Sequence, residues 1–140
     1  MFLLDTNVVS ELLRPSPDPV VETWVGDRRA TDLYFSAIGE AELRYGVAIL
    51  PTGRRQTALA SAIEAILRED FVDRILPFDS DAAREYANIA AACRSAGRIV
   101  PPADCQIAAI ARSRSMSVAT RNVRDFKDID IEVVDPWAAA

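Results

Sequence analysis

The chain has 140 residues, of which half are hydrophobic, and its formal net charge is −5. This length fits one domain, and the hydrophobic content is too high for a disordered chain. The acidic balance excludes a protein that coats nucleic acid through general basic charge. It does not exclude an enzyme that acts on nucleic acid through a metal ion. We therefore expect a single folded domain over residues 1–140.

The sequence contains no His and only two Cys, Cys93 and Cys105. The lack of His excludes Ser-His-Asp and Cys-His catalysis and imidazole metal ligands. Two cysteines make neither a disulfide framework nor a zinc site, which favours a cytoplasmic setting. No apolar stretch is long enough to cross a bilayer, and the N-terminal apolar run is too short for a signal peptide, so we expect no membrane association. Acid–base and metal chemistry then falls to Asp and Glu, whose oxygens suit Mg²⁺ or Mn²⁺.

Apolar spacing along the chain predicts strands that alternate with helices. Short β-prone runs predict strands at 2–4, 33–35, 75–78, 116–120 and 131–134. Helical spacing predicts helices at about 8–14, 19–25, 38–50, 57–69, 80–96 and 103–113. Asp18 before Pro19 is predicted as an N-cap, and Gly97 as the residue that ends its helix. The alternation predicts an α/β fold with a mostly parallel central sheet, flanked by helices on both faces.

Asp5 follows the first predicted strand, within MFLLDTNVVS, and precedes a helix. Ligands of open α/β sheets bind outside the carboxyl ends of the strands, so Asp5 marks the expected site. Polar residues also follow the strand that ends at Thr120, and Asp125 is among them. Asp125 is either a metal-site acid or a cap and turn residue of a kind common in such loops.

Two predicted helices carry carboxylates on their inward side. Glu42 shares a helical stripe with Ile38 and Tyr45, which predicts a carboxylate on the apolar face. The alternative is a Glu at the edge of the stripe that reaches water or an Arg. Asp104 lies in the first turn of its helix, and taken alone it is better explained as a cap of the helix N-terminus.

Together, these positions predict that four carboxylates converge at one end of the sheet: Asp5, Glu42, Asp104 and Asp125. Like charges repel strongly in a pocket of low dielectric, and a divalent cation relieves that repulsion. We therefore expect a metal site rather than a purely structural cluster of acids.

Four motifs in series carry a resemblance to a known family: LDTNVVSELLR, SAIGEAELRYGV, PPADCQIAAIA, and ATRNVRDF followed by VVDPW. In this order they resemble the PIN-domain ribonucleases. More narrowly, they resemble the VapC toxins of bacterial type II toxin–antitoxin pairs, in the FitB-like branch. The likeness runs over nearly the whole chain and implies a single PIN domain over residues 1–140. One departure is Gly39, where many relatives carry Thr or Ser, and we expect it to weaken a hydrogen bond at the start of the helix.

The resemblance also implies which residues form the site. The acidic positions of the family fall on Asp5, Glu42, Asp104 and Asp125. The first three would hold the metal directly or through water, and the fourth would assist. The family's polar positions, which would orient water or a phosphate oxygen, fall on Asn7, Thr120 and Asn122. Four arginines are candidate phosphate contacts, although an ordinary solvated side chain is the favoured interpretation of each: Arg98, Arg112, Arg121 and Arg124.

The activity implied by the resemblance is a Mg²⁺- or Mn²⁺-dependent endoribonuclease, which cleaves RNA phosphodiester bonds with metal-activated water. The implied partners are an RNA substrate, a second copy in a homodimer, and a VapB-like antitoxin that neutralises the toxin. Operator DNA would be bound only indirectly, through the antitoxin. Apolar faces around Trp24 and residues 59–67 are expected to offer room for a partner.

Three other classes of protein share features with this chain. A phosphohydrolase of the haloacid-dehalogenase kind also places an Asp after its first strand, but it needs a second Asp where this chain has Asn7. A receiver domain needs an acidic pair directly after the first strand and a matching late Lys. The third class is a catalytically idle PIN-like binding module that acts only through its antitoxin and operator complex. A full set of repelling carboxylates argues against the idle module.

Overall fold

Five parallel strands form the central sheet in a computed structural model, which describes residues 1–139. The strands are β1 (Phe2–Leu4), β2 (Leu33–Ser36), β3 (Ile75–Leu76), β4 (Ser117–Ala119) and β5 (Val133–Val134). Their order across the sheet is β3-β2-β1-β4-β5, and every pairing is parallel. The predicted parallel α/β fold is therefore confirmed, with β3 and β5 shorter than expected.

Seven α-helices lie within the described residues. They are α1 (Thr6–Leu12), α2 (Pro19–Gly26), α3 (Ala37–Ala48), α4 (Arg54–Ala65), α5 (Ser80–Ser95), α6 (Pro102–Ser113) and α7 (Val123–Phe126). Short 3₁₀ turns cover Ala30–Asp32 and Pro136–Ala138. All six predicted helices are present with shifted ends, and α7 occupies a segment for which no helix was predicted. Across residues 1–139, none of the helices is both long and apolar enough to span a membrane.

The sheet separates two hydrophobic cores because successive side chains of a strand point to opposite faces. Leu3 and Val118 pack on the face covered by α5 and α6. Their neighbours Leu4 and Ala119 pack on the other face, among residues of α1 to α4. Helices therefore cover both faces, as predicted, and only the two ends of the strands remain open for a site.

The predicted helix at 57–69 is the element whose shape differs most. It begins earlier, at Arg54, and after Ala65 it widens into a π-helical turn over Ile66–Asp70. The amide of Phe71 donates to the carbonyl of Ile66 over 3.1 Å, which is the longer spacing typical of a π turn. This turn directs Phe71 into the core, where its ring lies 5.6 Å from that of Phe35.

The two predicted partner surfaces differ in burial. Trp24 itself is only 4% exposed, because its indole packs edge-on against Phe2 and under the guanidinium of Arg28. It still lines a groove together with Pro19 and Thr23, so a partner at this face stays a prediction. In the segment 59–67, Ile63 and Leu67 are also buried, whereas Leu59 stays partly exposed beside a groove.

Gly39 is required by close packing in the first turn of α3. A methyl group at this position would lie 2.5 Å from the ring of the fully buried Phe35. The expected loss of a hydrogen bond at the helix start is wrong, since the Ser36 hydroxyl accepts from the Gly39 amide over 2.9 Å. Ser36 is thus the N-cap of α3, and Gly39 allows the helix to approach β2 closely.

We predict that Gly39→Ala destabilises the protein by about 1–3 kcal/mol, because the new methyl group overpacks the core beside Phe35. Gly46→Ala in the same helix is the matched control, since nothing lies within 4 Å of a methyl group there. The control is expected to stabilise the protein by about 1 kcal/mol through helix propensity. Urea unfolding of both variants measures this, and equal shifts would disprove the packing role of Gly39.

Candidate metal centre

Asp5 stands at the carboxyl end of β1, where its amide still donates to Ala119 of β4 over 2.9 Å. Its side chain is the N-cap of α1, and the carboxylate accepts from the Thr6 amide over 2.8 Å. The other carboxylate oxygen accepts from the Thr120 hydroxyl over 2.7 Å. With only 3% of its surface exposed, Asp5 is fixed in position by the two central strands.

The predicted polar residues form a network around Asp5. The Asn7 amide group lies 3.4 Å from the Asp5 carboxylate and 3.3 Å from the Thr120 hydroxyl. The same hydroxyl accepts from the backbone amide of Asn122 over 2.9 Å. Asn7, Thr120 and Asn122 therefore meet at Asp5, and Asn122 reaches it through its backbone.

Glu42 reaches the same place from α3, but not from the buried face of that helix. Gly39 and Leu43 are the buried residues of α3, whereas Tyr45 is 67% exposed and Glu42 is also exposed. The predicted burial of Glu42 on an apolar stripe is therefore wrong. The alternative of an exposed Glu agrees with this position, although its partner is Thr6 and not an Arg. The reason is the close contact of Gly39 with β2, which turns the stripe containing Glu42 away from the core.

Thr6 is a site residue that the sequence reasoning missed. Its hydroxyl donates to a carboxylate oxygen of Glu42 over 2.7 Å, while its amide donates to Asp5. Thr6 therefore links the two carboxylates from α1 and α3. The one signal for Thr6 in the sequence was its position directly after Asp5, because both residues belong to the turn between β1 and α1.

We predict that Thr6→Val lowers the rate of RNA cleavage by about tenfold, because Glu42 loses the hydroxyl that fixes it while the shape of the side chain is kept. Ser10→Ala in the same helix is the control and should leave the rate unchanged. Single-turnover assays at several Mg²⁺ concentrations measure the effect. An unaltered rate and unaltered metal dependence in Thr6→Val would rule out this role.

Asp104 occupies the third position of α6, and Asp125 lies in α7. The N-terminus of α6 follows Pro101 and has no side-chain cap, so the interpretation of Asp104 as a helix cap is wrong. The pKa of Asp104 is raised to about 7, first by burial and then by a hydrogen bond with Asp125 and by the charges of Asp5, Asp125 and Glu42. Asp104 therefore takes up a proton more readily than an ordinary aspartate.

Two of the same neighbours, Glu42 and Asp125, also affect the pKa of Asp5. Burial raises the pKa of Asp5, the hydrogen bonds from Thr120 and Thr6 oppose this, and the charges of Glu42 and Asp125 add to it. The charges of Glu42 and Asp125 thus act on both Asp5 and Asp104, so the four predicted acids lie near one another at the carboxyl end of the sheet.

The donor set fits a hard divalent cation in its chemistry, because it consists of carboxylate oxygens close enough to repel one another. Within residues 1–139, however, no three His, Cys, Asp or Glu side chains stand in a finished ligand arrangement. Without a cation, burial and the neighbouring carboxylates favour the protonated form of Asp104, as its raised pKa shows. Binding would require that proton to leave and the carboxylates to close together.

The four candidate phosphate contacts separate into two groups. Arg98 donates to the backbone carbonyls of Arg124 and Lys127, and Arg112 pairs with Glu85 over 2.8 Å. These two arginines are occupied within the fold. Arg121 lies with its guanidinium carbon 5.0 Å from the centre of the Trp137 ring, and Arg124 is exposed.

Comparison with known proteins gives a consistent assignment. The PIN domain family matches residues 2–132. The chain is 39% identical to the VapC ribonuclease Y4jK of Sinorhizobium fredii over the full length of both chains. It is 43% identical to the toxin FitB of Neisseria gonorrhoeae, covering 98% of this chain and 99% of FitB. The solved structure of FitAB bound to an IR36 DNA fragment matches with a TM-score of 0.91 at 43% identity, covering 98% of this chain and 96% of that one.

The match spans nearly the whole chain at these identities, and the motifs around the four acids lie inside the matched range. The phosphohydrolase and receiver alternatives are therefore excluded. The chain belongs to the PIN-domain family, within the group that contains the VapC and FitB toxins.

Proposed function

We propose that this protein is the toxin of a type II toxin–antitoxin pair and an endoribonuclease that depends on Mg²⁺ or Mn²⁺. The observation that carries the proposal is the convergence of Asp5, Glu42, Asp104 and Asp125 at the carboxyl end of a parallel sheet. The ribonuclease named among its relatives, at 39% identity over the full chain, supports the activity.

Each residue of the site has a definite task in this proposal. Asp5, Glu42 and Asp104 would hold the cation, and Asp125 would assist. When bound, the cation supplies Lewis acidity, which lowers the pKa of a water ligand and offsets charge on the phosphate. Thr120 and Asn7 fix the Asp5 carboxylate.

In the metal-free protein, the raised pKa of Asp104 favours its protonated form. This proton must leave before the Asp104 carboxylate can act as a ligand. The backbone amide of Asn122 keeps the Thr120 hydroxyl aimed at Asp5. The predicted tasks of Asn7, Thr120 and Asn122 toward water or phosphate are part of the proposal.

A groove between α1, α3 and α4 supports the proposal of an antitoxin partner. It has a volume of about 510 Å³, and its apolar lining includes Leu13, Leu43 and Leu59. Thr6 and Glu42 also line it, so an apolar segment of a VapB-like antitoxin bound there would lie against the acid cluster. Operator DNA would be bound through that antitoxin, and the solved structure of FitAB bound to a DNA fragment supports an association of such a complex with DNA.

The RNA target and the two free, buried cysteines, Cys93 and Cys105, agree with the cytoplasm as the place of action. The homodimer implied by the resemblance stays a prediction, which light scattering of the purified protein tests.

The activity is tested by incubating the purified protein with a pool of mixed-sequence RNA, with Mg²⁺, with Mn²⁺, and with a chelator. We expect cleavage with either ion and none with the chelator. A protein that binds its antitoxin but leaves the RNA intact under all three conditions would contradict the proposal and would support the idle binding module.

A further inference from the structure

An acidic enzyme that binds RNA needs cations fixed near its acid cluster, because four carboxylates repel a phosphate chain. Most of the 16 cationic side chains are occupied elsewhere in the fold. Seven pair with carboxylates: Arg14, Arg29, Arg44, Arg68, Arg84, Arg112 and Arg114. Three donate to backbone carbonyls: Arg28, Arg74 and Arg98.

The cations that make no such contact within residues 1–139 are few, and half of them follow β4: Arg121, Arg124 and Lys127. Arg121 is the one of these three that is tied to the hydrogen-bond network of Asp5. Its backbone amide donates to the Asn7 side chain over 3.4 Å, and its neighbour Thr120 donates to Asp5. Arg121 therefore directly follows a residue that fixes the Asp5 carboxylate, and it is exposed to solvent.

The Trp137 ring holds the Arg121 side chain. The guanidinium carbon lies 5.0 Å from the ring centre, which is within cation–π distance. Trp137 is itself fixed, because its 3₁₀ turn packs against α2, Pro136 is buried, and Asp135 accepts from the Trp137 amide over 2.9 Å. A guanidinium that lies over an aromatic ring keeps its N–H edge free for a bidentate contact with phosphate.

We propose that Arg121, held against Trp137, binds a backbone phosphate of the RNA next to the phosphate that is cleaved. The site lies beside the acid cluster on the β5 side of the sheet, so RNA crosses the carboxyl ends of β1, β4 and β5. The contact is with the sugar–phosphate chain and is independent of base identity. This inference rests on the proposed ribonuclease function.

The test measures cleavage and binding of a short, single-stranded RNA of mixed sequence. Arg121→Ala is expected to raise KM about tenfold and leave kcat unchanged, because a charged hydrogen bond to the ground state is lost. Arg121→Lys should fall between Ala and wild type, since it keeps the charge without the planar fork. Trp137→Leu should weaken binding about threefold.

The salt dependence of binding separates a phosphate contact from a structural role. In the Asp5→Asn background, where the RNA stays intact, Arg121→Ala should reduce the log–log salt slope by about 0.7, the value for one phosphate on a single strand. Arg29→Ala is the matched control, because it removes the same charge from the segment before the amino end of β2, away from the carboxyl ends of the strands. It should leave KM and the slope unchanged.

An unchanged KM and slope in Arg121→Ala would overturn the inference, and so would equal effects of Arg121→Ala and Arg29→Ala. Failure of the proposed function has a different signature. If the wild-type protein binds RNA with a salt slope that depends on Arg121 but does not cleave the RNA, the phosphate contact is supported and the proposed ribonuclease activity is refuted. If the wild-type protein binds no RNA, both proposals are refuted.

Discussion

Replacing Asp5 with Asn is expected to abolish RNA cleavage, with a rate loss of at least about a thousandfold. That loss corresponds to about 4 kcal/mol of transition-state stabilisation. The reason is the place of Asp5: it is the most buried of the four acids, it is bound to both central strands, and it accepts hydrogen bonds from Thr6 and Thr120. Cleavage assays with the purified variant, and growth after induced expression, measure the loss.

The fold should survive this substitution. Asn is as good an N-cap as Asp, so α1 keeps its start, and a buried carboxylate with a raised pKa is removed. Asp18→Asn at the N-cap of α2 is the matched control, because it makes the same chemical change away from the site. The control should cleave RNA like wild type. Full cleavage by Asp5→Asn would refute its role as a ligand.

Replacing Asp104 with Asn is expected to lower RNA cleavage and to reduce the loss of stability as pH rises. The pKa of Asp104 rises from 3.8 to about 7 in the folded protein. Between these two values the native state holds more protons than the unfolded chain, so the free energy of unfolding falls as pH rises through that window. In Asp104→Asn this loss of stability should shrink to the part that the raised pKa of Asp5 contributes, and cleavage should fall by at least about a hundredfold because a ligand is gone.

Urea unfolding between pH 4 and pH 8, in the presence of a chelator, measures the pH effect. Added Mg²⁺ should restore the stability of the wild type at the upper end of this range, because a ligand of the native state alone stabilises it. Asp81→Asn, at an exposed residue of α5 paired with Arg84, is the control and should keep the pH dependence. A wild type whose stability is constant or rises over this range would contradict the raised pKa of Asp104.

The sequence predicted the sheet and the place of the acids well, for a physical reason. A buried parallel strand is a short apolar run, and the polar residue after it must lie at the carboxyl edge. This placed Asp5 and Thr120 at the carboxyl ends of two strands, and the structure makes these strands, β1 and β4, neighbours. Helix positions followed from apolar spacing and from caps such as Asp18, which accepts from the Val20 amide.

The details that were wrong depend on contacts between distant segments. The face of Glu42 was mistaken because the close contact of Gly39 with Phe35, which sets the rotation of α3, is not visible in the helical period. Asp104 was favoured as a cap because its partner Asp125 arrives from another element. Thr6 was missed because its acceptor, Glu42, is brought to it only by the packing of α3 on α1.

The most direct test of the metal centre is an anomalous-scattering map from crystals of the protein grown with Mn²⁺, with Asp5→Asn crystals as the comparison. We expect a Mn²⁺ ion bound by the carboxylates of Asp5, Glu42 and Asp104 in the wild type, with Asp125 beside it, and a lost or much weakened peak in Asp5→Asn. A wild-type enzyme that cleaves RNA with Mn²⁺ but shows the ion elsewhere, or an unchanged peak in Asp5→Asn, would contradict the account.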